Sequence, residues 1–141
     1  MMWASGRNTE GELGLGNEES NKLPKNIVQL NDFPIKKFCM SNCHTVLMTS
    51  KGDVHVAGST LHGKLGMPGI QKKFLNKFHV VTQLQGEKVS DICCSDYITV
   101  ILLEDGRVFQ LGGSQFMSTA NVPKDANEAT GVPGLDGVEI V

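Results

Sequence analysis

No apolar run in this sequence approaches the ~18 residues that a helix needs to cross a bilayer, so no membrane partner is expected. The charged-then-apolar layout of a secretory leader is also missing, because Arg7, Glu10 and Glu12 follow the first apolar residues at once. A cytoplasmic or nuclear compartment follows as the expectation. Net charge is small, −2, whereas a phosphate-gripping domain is usually distinctly basic, which argues against nucleic acid. The four cysteines do not form a dense framework: Cys93 and Cys94 are adjacent, and Cys39 and Cys43 lie in strand-like or turn sequence. Four free thiols are the expectation. Long helical periodicity is lacking too; only Gln71–Phe78, with Phe74 and Phe78 four apart, suggests a turn or two of helix. No Ser or Cys nucleophile has a sequence partner and no carboxylates are paired for acid–base work, so no enzyme, catalytic residue or cofactor is expected.

What is present is glycine, in a pattern. Gly6, Gly11, Leu13 and Gly14 return as Gly58, Gly63, Leu65 and Gly66, each 52 residues later. After a two-residue insertion the offset becomes 54: Gln29, Leu30, Cys39, Ser41, Thr45, Val46, Gly52, Val54 and Gly58 return as Gln83, Leu84, Cys93, Ser95, Thr99, Val100, Gly106, Val108 and Gly112. A weaker third copy places Leu84 and Gly86 onto Leu135 and Gly137, an offset of 51. Such self-similarity is the mark of a repeat architecture.

Inside each unit the elements read as short strands. Thr45–Thr49 and Val54–Ala57 flank the turn at Gly52, and Thr99–Leu103 and Val108–Leu111 flank the turn at Gly106. Apolar β-branched runs interrupted by a Gly-bearing turn predict tight hairpins. Gln29–Leu30 with Ile35–Met40, and Thr82–Leu84 with Val89–Cys93, are read as a further strand pair in each unit. A unit of this length with four strands fits one propeller blade, whose two apolar faces need neighbouring blades to cover them.

The residues that carry these strands also resemble a known family. Trp3-Ala-Ser-Gly followed by Gly11-Glu-Leu-Gly14 is similar to the tryptophan-glycine strand end and Gly-x-Leu-Gly loop of the regulator of chromosome condensation family. His44-Thr-Val-Leu-Met-Thr-Ser-Lys-Gly52 resembles its His-Thr strand and Gly turn, and Pro24 sits where the family often has proline. The resemblance implies an all-β fold, a partial β-propeller of four-stranded antiparallel blades with about two and a half repeats. It implies one repeat region over residues 1–141, with units near 1–52, 53–106 and 107–141, the last incomplete. From Ser114 onward the likeness fades, and Ser114–Gly131 reads as a polar loop.

Several tempting motifs dissolve under the repeat. Gly58-Ser-Thr-Leu-His-Gly63-Lys64 satisfies Gly-x-x-x-x-Gly-Lys, but Leu65 stands where a phosphate loop needs Ser or Thr, and Glu12 replaces Lys64 one unit earlier. A zinc site from Cys39, Cys43, His44, Cys93 and Cys94 lacks paired Cys-x-x-Cys ligands, so no metal is expected. Cys39 and Cys93 are instead read as buried, repeat-equivalent packing positions. His44 is matched by Ile98 one unit on, so it is read as a strand-start histidine bonding backbone of a neighbouring loop. The structural repeat positions are thus Gly6, Gly11, Leu13, Gly14, His44, Gly52, Gly58, Gly63, Leu65, Gly66, Gly106 and Gly112. Lys72, Lys73 and Lys77, among Phe74 and Phe78, form a candidate partner-binding loop; the equivalent first-unit loop holds Glu10, Glu12, Glu18 and Glu19. Loops that differ in charge on a constant frame suit recognition. The expected role is non-enzymatic protein–protein interaction. The alternative implied by the resemblance is guanine-nucleotide exchange on a Ran-like small GTPase, with possible chromatin association. Association with the remainder of a propeller or with another copy is expected, because Met1–Ala4 and Val138–Val141 would leave unpaired apolar edges.

Overall fold

The computed structural model describes residues 1–113 and the short strand Thr130–Gly131. The third-copy positions Leu135 and Gly137 and the edge Val138–Val141 lie outside the described residues. All strand pairing is antiparallel. Strands β1 (Trp3–Gly6) and β2 (Asn21–Asn26) form a two-stranded sheet. A second sheet runs β3 (Ile35–Met40), β4 (His44–Thr49), β5 (Val54–Ser59) and β6 (Phe74–Val80) in that order. A third runs β7 (Val89–Cys94), β8 (Ile98–Leu103), β9 (Val108–Gly112) and β10 (Thr130–Gly131).

The repeat in sequence is a repeat in register. Thr45 faces Ala57 and Val46 faces Val56 across the first hairpin, as Thr99 faces Leu111 and Val100 faces Gln110 across the second. A bulge between Ile35 and Lys37 in β3 recurs between Val89 and Asp91 in β7. The turns close alike: Gly52 N–H donates to Thr49 O at 3.0 Å, and Gly106 N–H to Leu103 O at 3.1 Å. The two hairpins lie in separate sheets, as the repeat predicts.

Three local expectations are corrected. Val28–Leu30 and Thr82–Leu84 are single 3-10 turns, not strands. The partners of β3 and β7 are the following strands β4 and β8, leaving each turn to tuck one leucine, Leu30 or Leu84, into the core. The suspected helix around Phe74 is strand β6. Its pairing with β5 shifts so that His79 faces Val56 and Leu75 faces Gly58, four residues against two. That bulge replaces the two-residue alternation of a regular strand by the three-residue spacing of buried Leu75 and Phe78. Finally, the polar loop ends early, since Thr130 and Gly131 pair with Gln110 and Phe109.

Two apolar layers hold the sheets together. Val46, Met48, Val54 and Val56 of the second sheet pack with Ile92, Ile101, Leu103 and Leu111 of the third. On the opposite side Leu47, Ala57 and Phe78 pack with Ile27 and Leu30. Every residue of β4 is therefore buried, on both faces. Each of its large apolar side chains, almost fully removed from water, contributes about 1.5–3 kcal/mol.

Candidate functional site

The loops that follow β1 and β5 are built on one plan. Gly11 N–H donates to Asn8 O at 3.0 Å and Gly14 N–H to Gly11 O at 2.9 Å; Gly63 to Thr60 at 3.2 Å and Gly66 to Gly63 at 2.9 Å repeat the pattern. Leu13 and Leu65 are the buried plugs of these loops. Gly58, next to last in β5, and Gly112, last in β9, have φ +112 and +75, and an added Cβ would stand 2.4 Å from Cys43 O or 2.7 Å from His62 O. Buried Asn8, which the repeat does not mark because its counterpart is Thr60, organises the first loop. Its Nδ2 donates to Asn17 O at 2.8 Å and its Oδ1 accepts from Leu13 N–H at 2.9 Å.

A polar seam then stitches each sheet to the loop of the sheet before it. Thr45 Oγ1 donates to Glu12 O at 2.6 Å, and the equivalent Thr99 Oγ1 donates to Lys64 O at 2.9 Å. His44, fully buried, joins that second stitch: its Nε2 lies 3.0 Å from Thr99 Oγ1 and its Nδ1 lies 2.7 Å from Ser41 Oγ. The ring thus bonds two hydroxyls, where a direct bond to backbone was expected, and reaches loop backbone only through Thr99. Burial, and then the nearby Lys64 cation, lower its pKa from 6.5 to about 4, against a smaller opposing pull from Asp96.

Strands β3 and β7 are the edges that approach each other, and there residues at the same repeat position meet. Lys37 pairs with Asp91, 54 residues on, and this bond holds the Asp91 carboxyl below its ordinary range. Asn42 donates its N–H and Nδ2 to the Asp96 carboxylate at 3.0 and 2.8 Å, again 54 residues apart, and lowers that pKa as well. Cys43 Sγ lies 3.5 Å from Asp96 O. All four cysteines are free thiols. The packing expectation for them is corrected, however: Cys93 is exposed, and Cys39 meets Cys94, not its repeat equivalent. The contact is offset by one from the repeat, although Lys37–Asp91 before it and Asn42–Asp96 after it keep the repeat offset.

The lysines divide between two surface grooves. Lys72 and Lys73, in the connection before β6, line one of ≈ 440 Å³ with Glu18 and His79; Lys77, on β6, lines another of ≈ 370 Å³ with Leu15, Val28 and Gln29. Glu18 Oε1 accepts from Asn76 Nδ2 at 2.6 Å, so the acidic first-unit loop lies against the basic one. A third feature was not visible as a site in the sequence. Strand β1 pairs only with β2 among the described residues, and beside it opens a cleft of ≈ 280 Å³ walled by Trp3, Phe38, Met40 and Leu47. Trp3 is 59% exposed, Phe38 58% and Met40 46%. The carboxylate of buried Glu12 lines it as well; Oε2 accepts from Glu10 N–H, while Oε1 has no hydrogen bond and lies 3.5 Å from Arg7 Nε.

Residues 1–48 match the family model of the regulator of chromosome condensation (RCC1) repeat. The chain carries an RCC1-type repeat. It is 31% identical over 125 residues to the secretion-regulating guanine nucleotide exchange factor of Mus musculus, covering 82% of this chain and 25% of that protein. It is 29% identical over 112 residues to the X-linked retinitis pigmentosa GTPase regulator of Homo sapiens, covering 79% of this chain and 11% of that protein. The chain therefore spans a quarter or less of the length of these curated relatives. Among solved structures it is similar to Prp20p of Saccharomyces cerevisiae, described with its binding properties to Gsp1p and histones, with a TM-score of 0.76 at 15% identity. The likeness covers 96% of this chain and 34% of that one. The sheets of this RCC1-type chain are accordingly blades of a partial β-propeller, with β3 and β7 their inner strands. None of its described helices is long and apolar enough to cross a membrane.

Proposed function

We propose that this RCC1-type chain is a non-enzymatic protein-interaction segment, one repeat region over residues 1–141 with units near 1–52, 53–106 and 107–141. The observation that carries the reading is the cleft beside β1. By the repeat, β1 and β2 correspond to β5 and β6, and in that sheet the inner side of β5 is covered by β4 and β3. The cleft lies where such a pair would sit. Its occupant is a further pair of inner strands, from the remainder of a propeller or from a second copy. Main-chain bonds to the free edge of β1 and apolar contacts to Trp3, Phe38 and Met40 would hold it. The loops bearing Lys72, Lys73, Lys77 and Glu18 then remain free to meet a protein partner, in a cytoplasmic or nuclear setting.

Sedimentation of the full chain at micromolar concentration tests the cleft. Self-association that Phe38→Asp with Met40→Asp abolishes, in a chain still showing a cooperative unfolding transition, supports the reading. A compact monomer before and after the substitutions would overturn it. A second reading, exchange factor for a Ran-like GTPase with chromatin association, is favoured by the names of the murine exchange factor and of the yeast protein studied with Gsp1p and histones. A fluorescent-GDP release assay separates the two: the chain alone is expected to leave the release rate unchanged, and catalytic acceleration would put exchange first.

A further inference from the structure

We propose that Cys39 and Cys94 form a peroxide-responsive thiol pair, which on oxidation becomes a disulfide stapling the inner strands of two successive blades. The two sulfurs lie 2.9 Å apart, one on β3 and the other on β7, at positions 55 apart in the chain. Both side chains are half-buried, so a small oxidant has access while the pair is held in place by strand pairing on either side. Two donors converge on Cys39 Sγ: the Cys94 N–H at 2.9 Å and the Cys94 thiol itself. Cys39 Sγ also lies 3.7 Å from Cys94 O, its contact when it holds a proton. Burial first, and its bond to Cys39 second, push the Cys94 thiol well above the ordinary range.

The roles follow from the direction of these bonds, in which Cys94 donates and Cys39 accepts. The Cys39 thiolate attacks one oxygen of hydrogen peroxide, the O–O bond breaks, and the departing hydroxide takes up a proton to leave as water. Cys39 is then a sulfenic acid. The Cys94 sulfur attacks Cys39 Sγ, the S–O bond breaks, and the sulfenic oxygen leaves as a second water carrying the Cys94 proton. Two thiols have lost two electrons and two hydrogens, and one peroxide has become two waters. No other described cysteine pair is so disposed: Cys43 is engaged with Asp96 O, and Cys93 points to solvent.

The test uses the full chain carrying Cys43→Ser and Cys93→Ser, which keeps only the proposed pair. Titration with hydrogen peroxide is followed by thiol counting, intact mass and peptide mapping under non-reducing conditions. The expected result is loss of both thiols, a monomer lighter by two hydrogens, a linked Cys39–Cys94 peptide, and a higher denaturation midpoint that dithiothreitol reverses. Adding Cys94→Ser should stop the reaction at the sulfenic acid, trapped by dimedone on Cys39. Thiols that survive peroxide in a folded chain would overturn the proposal, as would disulfides found only between chains. So would an oxidised monomer with an unchanged midpoint, because the staple would then join nothing that moves apart on unfolding.

Discussion

Acidification should unlock the seam at His44 before it protonates the structural carboxylates. The ring is fully buried and beside the Lys64 cation, so its pKa lies near 4 in the folded chain against 6.5 ordinarily. Above 6.5 the imidazole is neutral in folded and unfolded chains alike and adds no pH dependence. Between 6.5 and about 4 the unfolded chain binds a proton that the folded chain refuses, so stability falls as pH falls. Below about 4 both forms are protonated and the loss levels off. A difference of this size corresponds to about 3 kcal/mol in full, of which about 2 kcal/mol is lost by roughly pH 5.

Urea denaturation at a series of pH values, on the native chain and on His44→Gln, measures this. Gln removes the titration while keeping hydrogen-bonding atoms, so the variant should be less stable near neutrality yet flatter with pH. The comparison isolates His44 from His55, whose pKa burial also lowers but which is present in both chains. Asp91, Asp96 and Asp105 all lie below their ordinary 3.8, so their contribution is present above that value and is lost only at still lower pH. Parallel stability profiles for the two chains between about pH 7 and 5 would refute the argument, for His44 would then be protonated without cost.

Other perturbations separate strong from weak features. Gly58→Ala should cost about 3 kcal/mol or more, because φ +112 and a Cβ 2.4 Å from Cys43 O act together, whereas Gly106→Ala, at φ +87 with open space, should cost about 1 kcal/mol; thermal melts compare them. Lys37→Ala should cost less than about 1 kcal/mol at low salt and nothing measurable at high salt, since the pair with Asp91 is about half exposed. Hydrogen exchange should protect β4 amides more than β8 amides, although both are central strands, because β4 is covered on both faces and β8 alternates between buried and half-buried; equal protection would show that facial cover is irrelevant to opening.

The repeat made much of this fold legible. Thr45 and Thr99, or Gly52 and Gly106, announce equivalent strands and turns by identity at a fixed offset, and the structure gives them equivalent partners. Periodicity misled where a bulge intervened: Phe74 and Phe78, four apart, suggest a helix, whereas the residues β6 buries are Leu75 and Phe78, because its pairing with β5 slips. The inner strands were legible as strands but not in their pairing, since Gln29–Leu30 carries the same apolar signal in a 3-10 turn. Of the candidate site, the lysine loop could be read from charge. The cleft could not, because Trp3, Phe38 and Met40 are distant in sequence and ordinary core candidates until the sheets are placed. The Cys39–Cys94 contact was hidden for a related reason: repeat equivalence points to Cys93, whose side chain is exposed, and the sulfur that meets Cys39 is that of its neighbour Cys94.

That last point bears on how a repeat protein assigns meaning to position. Val46 and Val100 are the same residue at the same place in consecutive blades, yet the first is wholly buried and the second only partly. The difference lies in neighbours: β4 has an apolar layer on each side, whereas the described residues give β8 its layer, with Ile92, Ile101 and Leu103, on one side. Exposure in such a chain is therefore a property of the stack, and an apolar strand face is a statement about what must lie against it. The polar seam obeys a different rule, because each stitch, Thr45 to Glu12 O or Thr99 to Lys64 O, uses the loop's backbone carbonyl. The side chain at that loop position is left unconstrained by the stitch, which is why it can be Glu in one repeat and Lys in the next without disturbing the frame. Both of these side chains are buried, so the frame accepts either charge at that position without presenting it to solvent, and the surfaces that differ between repeats are built instead at exposed loop positions such as Glu18 and Lys72.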